Sequence, residues 1–126
     1  MKDKAFIRYF NVGPYPVWFG VTTSEIKFRK ELKRLKIAEN LQFVSPNKDA
    51  MVHCFEHKNE LNMITTVRMN EKYKKSQVIG LLVHEAVHVW QEIMIWIGEK
   101  HPGDEISAYS IQNIAQSMIE ECMKGE

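Results

Sequence analysis

With 126 residues, 44% of them hydrophobic, the chain has the size of one domain and enough apolar surface for one core. Its 17 basic side chains against 16 acidic ones leave a formal charge of +1, which argues against a dominant electrostatic attraction to nucleic acid or an anionic membrane. Cys54 and Cys122 lie far apart without C-x-x-C spacing, which excludes a thioredoxin-like motif and a cysteine-paired zinc site and leaves free thiols in a reducing compartment as the expectation.

The N-terminus, Met1 to Arg8, is charged and is followed by no long apolar run, because Arg8, Asn11 and Pro14 interrupt it. No secretory signal is expected, and the expected location is cytoplasmic. Tyr15 to Val21 is aromatic and β-branched, bounded by Gly13-Pro14 and Thr22-Thr23-Ser24, and predicts a strand. Ser24 then caps a helix running to about Ala38. It has Phe28, Leu32 and Leu35 on one face and a cationic remainder of Lys27, Arg29, Lys30, Lys33, Arg34 and Lys36. Such a helix could grip phosphates, but a solvated charged face has the same sequence and is the preferred reading.

After the break at Ser45-Pro46-Asn47, Met51 to Glu56 and Leu61 to Met69 predict two strands joined by a polar turn at His57 to Glu60. Ser76 precedes a long apolar helix ending near Gly98. Val78 to Ile97 is its most apolar part, and His84, Glu85, His88, Gln91 and Glu92 interrupt it, so it predicts a core helix and not a membrane span. Pro102-Gly103 forces a turn. A last helix follows from about Asp104 to Met123, with Ala108, Ile111, Ala115, Met118 and Cys122 at helical spacing. No repeat, low-complexity tract or linker divides the chain, so residues 1–126 are expected to form one domain. The order β-α-β-β-α-α predicts an α+β fold: a small, mostly antiparallel sheet packed on the helix that contains residues 84–88, followed by a C-terminal helix.

Residues 84 to 88 read His-Glu-Ala-Val-His. On a helix, positions i and i+4 share a face about 6 Å apart along the axis, so His84 and His88 can reach one ion. Glu85 is rotated by about 100° from His84, close enough to meet a water beside the metal without being a ligand. The expected cofactor is one zinc ion. A hydrolytic zinc site needs a third protein ligand and an open fourth position. The metzincin continuation would place Gly and His where this chain has Gln91 and Met94, and is rejected. Glu105, in the first turn of the last helix, is the preferred third ligand, with Asp104, Glu99 and His101 as competitors.

The stretch His84-Glu85-Ala86-Val87-His88 followed by Glu105-Ile106-Ser107-Ala108-Tyr109 resembles the active-site core of zincin metallopeptidases of the gluzincin type. It is similar in particular to small zincin-like proteins of phages and prophages. The resemblance spans roughly residues 50 to 120, and its specific residues lie between 84 and 112. It implies zinc held by His84, His88 and Glu105, with Glu85 as general base. It also implies a minimal zincin fold in which an edge strand, here Ile64 to Met69, lines the substrate groove. The implied activity is hydrolysis of peptide bonds in a peptide or protein substrate. Tyr109, one turn after Glu105, is the first candidate for the oxyanion donor, with second-shell bonding or simple packing as alternatives.

Two rival functions remain beside the peptidase: a zincin-fold zinc-binding module with a regulatory or interaction role, and a nucleic-acid-associated protein using the basic helix. His53, His57 and His101 read as strand or loop residues. Trp18, Phe19, Trp90 and Trp96 read as core.

Overall fold

Residues 5–37 and 40–124 are described by the computed structural model. The elements are β1 (Phe10–Asn11), β2 (Val17–Thr22), α1 (Glu25–Arg34), β3 (Ala50–His57), β4 (Glu60–Val67), α2 (Lys75–Ile97) and α3 (Asp104–Cys122). The α+β class expected from the pattern is therefore observed. The short strand β1 was not foreseen from the sequence, because two residues carry no period.

Capping chemistry explains the helix limits. The Ser24 hydroxyl accepts from the Lys27 N–H at 3.2 Å, which opens α1 where the sequence predicts. The helix ends earlier than expected, at Arg34, with Lys36 in a left-handed conformation (φ 58°); the expected terminus at Ala38 lies outside the described residues. Lys74, not Ser76, precedes α2, and the Gln77 side chain reaches back to accept from the Lys74 N–H at 2.6 Å. Gly98 closes α2 at φ 78°, a left-handed position suited to a residue without Cβ.

The sheet has the order β1-β2-β4-β3. β1–β2 and β3–β4 pair antiparallel, but β2 and β4 pair parallel from Val17–Leu61 to Thr22–Thr66. The sheet is thus mixed. Two of its three pairings are antiparallel, as expected, and the parallel one arises because the chain returns through α1 to the far edge and enters the sheet at β3, which places β4 beside β2. Lys58 and Asn59, both at positive φ (50° and 64°), make the two-residue hairpin loop that fixes His57 opposite Glu60.

Alternate residues on the strands point to two packed layers. Val17, Phe19, Val21, Leu61, Met63 and Val67 meet Leu82, Ala86, Val89 and Ile93 of α2 and Ile114 and Met118 of α3. On the other face Ile64 joins Phe28 and Leu32 of α1 and Ile7 of the N-terminal segment. Gly20 faces this second layer, where a Cβ would come within 2.7 Å of the Ile7 side chain and 2.9 Å of the Arg8 carbonyl. His53 is buried there too, its Nε2 within hydrogen-bond distance of Phe43 O (3.2 Å) and Thr66 Oγ1 (3.1 Å).

α2 is long and apolar enough to cross a bilayer by length and composition. Val78, Leu82, Ala86, Val89, Trp90, Ile93 and Met94 of it are buried in the main core, while Val83, Ile95 and Ile97 are exposed. β4 lies between two partners and is buried from Leu61 to Val67. Among the described residues β3 has one free side, so the edge strand next to β4 is Ala50–His57. The expected groove strand, Ile64 to Met69, is interior up to Val67, where the strand ends.

Candidate metal centre

α2 presents His84 and His88 on an exposed face while Glu85, about 100° further round, turns into the protein and is only 4% exposed. Ala86 and Val89 are buried beneath them, which holds this part of the helix against the sheet. The His84 and His88 Nε2 atoms converge to 3.1 Å, with the rings 79° apart in plane. Two nitrogens bound tetrahedrally to one zinc at the usual bond length would lie about 3.3–3.4 Å apart. The imidazole pair therefore fits a shared ion with little rearrangement. His88 Nδ1 is 2.9 Å from Gln91 Oε1.

Glu85 Oε2 is 3.9 Å from His84 Nε2. Burial raises the Glu85 pKa above the usual carboxylate value, and the opposing pull of His84, His88 and Lys48 does not cancel that rise.

These side chains open onto a cleft of about 410 Å³ between α2 and β3. Lys48, Asp49, Ala50, Met51 and Val52 form one wall, and Leu81, His84, Glu85, His88 and Glu92 form the other. Asp49 accepts from the Tyr73 hydroxyl at one end. At the other end burial, with Glu92 beside it, pushes the Cys54 thiol up to about 12, so it is not a ready thiolate.

The Arg68 N–H bonds the Asp49 carbonyl at 2.8 Å, which sets the alternation of the β3–β4 ladder. Residues 51, 53, 55 and 57 then turn their backbone groups towards β4. Ala50, Val52, Cys54 and Glu56 turn theirs to the free edge beside the cleft.

Glu105 is exposed in the first turn of α3 and does not line this cleft. The Trp90 indole donates to Ser107 Oγ at 3.1 Å, which anchors the start of α3. Trp90 is about 200° round α2 from His88, so α3 begins on the far flank of the helix. Asp104, Glu99 and His101 are exposed at the same end, where Glu99 accepts from the His101 N–H at 3.1 Å. Tyr109 is 63% exposed on α3 and also lies outside the cleft wall. Among the described residues no three His, Cys, Asp or Glu side chains are gathered as a ready ion site. The structure thus brings together His84, Glu85 and His88 but not Glu105 or Tyr109.

Lys48, Asp49 and Glu92 were missed from the sequence. Glu92 was legible as one turn beyond His88, whereas Lys48 and Asp49 reach the cleft only through the β3–α2 packing. Comparison with protein-family models, curated proteins and solved structures finds no match for this chain.

Proposed function

We propose that this protein is a zinc-dependent peptidase, a minimal zincin. The observation supporting this most strongly is the convergence of two imidazole Nε2 atoms at 3.1 Å beside a buried glutamate of raised pKa, in a cleft bordered by a free strand edge. His84 and His88 hold the ion; Glu105, the third ligand that the gluzincin pattern implies, starts on the opposite flank of α2, and the carboxylates on the cleft walls beside Glu85 are Asp49 and Glu92. Bound zinc supplies Lewis acidity towards a carbonyl and towards water.

Glu85 takes the proton of the attacking water and passes it to the leaving amine. A peptide or protein substrate lies extended along β3, meeting the outward backbone groups of Ala50 and Val52. The reading places the protein in the cytoplasm, in keeping with its free cysteines.

The test combines metal analysis of protein purified without chelator with cleavage of a mixed peptide library. One zinc per chain is expected in the parent and in Glu85→Gln, with cleavage at least about 100-fold slower in the variant. Equal cleavage by the two rejects the mechanism. Zinc without Glu85-dependent cleavage identifies a zinc-binding module, and no zinc in the parent rejects the proposal.

The third ligand is decided separately. Asp49→Ala, the carboxylate substitution on the cleft wall, is expected to weaken zinc retention against a competing chelator much more than Glu105→Ala. The reverse ranking assigns the position to Glu105.

A further inference from the structure

Gln91 lies three residues after His88 on α2, on the same helical face, and both side chains are exposed. Burial therefore does not force their contact. The amide Oε1 lies 2.9 Å from His88 Nδ1 and can only accept. A neutral imidazole has one N–H and one lone pair, so an acceptor at Nδ1 places the hydrogen there and the lone pair at Nε2. That Nε2 faces His84 Nε2 at 3.1 Å, a separation that allows one hydrogen between the two nitrogens. His84 must supply it.

We propose that Gln91 is a positioning residue that makes the two histidines unequal: it fixes His88 as the Nδ1–H tautomer with its Nε2 lone pair ready for zinc, and leaves His84 as the ring that must change tautomer on loading. The inference rests on the zinc reading above and extends it to the order of preparation of the ligands. A partner at the far ring nitrogen fixes both tautomer and ring orientation, and losing such a partner typically weakens metal binding 10- to 100-fold. A free imidazole favours the other tautomer, so removal of Gln91 withdraws the prepared lone pair.

The experiment uses the full chain, metal-free, with ¹⁵N-labelled histidine at about pH 8, above the usual range of histidine titration. Long-range ¹H–¹⁵N spectra are expected to show His88 as Nδ1–H and His84 as Nε2–H in the parent. In Gln91→Leu, His88 is expected to move towards Nε2–H, and affinity for zinc alone, read by chelator competition, to fall about 10- to 100-fold. Gln91→Glu, which keeps an acceptor at the same place, is expected to restore both. A parent His88 carrying its hydrogen on Nε2, or unchanged zinc affinity in Gln91→Leu, overturns the role of Gln91 while leaving the zinc site standing. A parent that takes up no zinc overturns the zinc site and this role together.

Discussion

Two buried glutamates in this chain carry opposite pKa shifts, and the difference lies in what answers their charge. Burial alone would raise Glu31, but hydrogen bonds from Arg34, Tyr9 and the Phe6 N–H outweigh it and hold its carboxyl below the ordinary value. Glu85 has its histidines and Lys48 only as charges, and burial prevails. A carboxylate with several donors is held ionised by them, whereas one kept short of donors binds its proton more readily. Glu31→Ala leaves Arg34 without its partner and removes the acceptor of two further donors, and is expected to destabilise the fold by about 3–5 kcal/mol in urea unfolding. Because the folded pKa is lowered, the stabilisation by Glu31 is fully present above the unfolded value of 4.5 and is lost as pH falls through the folded value. The gap between parent and variant should therefore narrow below about pH 4.5 in the same unfolding measurement.

Element boundaries decide what the cleft can hold. Among the described residues β3 is bonded to β4 on one side only, so Ala50 and Val52 turn backbone groups to the free edge on the cleft wall facing the histidines. Val52→Pro removes one outward N–H without breaking a β3–β4 hydrogen bond. Its expected effect, read from steady-state kinetics on any peptide the parent cleaves, is a loss of a few-fold to about tenfold in kcat/KM, the scale of one hydrogen bond. Zinc content and thermal midpoint should stay near those of the parent. A variant with undiminished kcat/KM would mean the substrate does not pair with this edge.

For the whole molecule, the proposed zinc site links metal binding to folding. An ion that binds only the folded chain stabilises it by about 2.7 kcal/mol at a hundredfold excess over Kd, enough to raise Tm by several degrees. Scanning calorimetry with and without zinc is expected to show that rise in the parent and its absence in His84→Ala. The same rise in the variant would place the ion elsewhere. Much of this architecture was legible beforehand. Ser24, Gly98 and the turn between His57 and Glu60 marked element ends through local backbone chemistry, and the 84–88 spacing placed two imidazoles on one helix face. Less legible were strand order and the identity of the edge. β4 alternates Leu61, Met63 and Val67 with Asn62, Ile64 and Thr66, and that pattern does not say whether a third strand lies beside it.

The sequence by itself determined what short-range geometry determines: the three helices and the three longer strands, the ends marked by Ser24, Gly98 and the His57–Glu60 turn, and that His84, Glu85 and His88 occupy neighbouring positions on α2. Tertiary structure alone decided that β2 pairs parallel with β4, that β3 and not β4 borders the cleft, that Asp49 and Lys48 arrive there, and that α3 starts on the opposite flank from the histidines. Helix and strand periods repeat within a few residues and can be read locally. Strand order and the side on which a following helix docks depend on burying both faces of the sheet at once, which no local stretch of residues specifies.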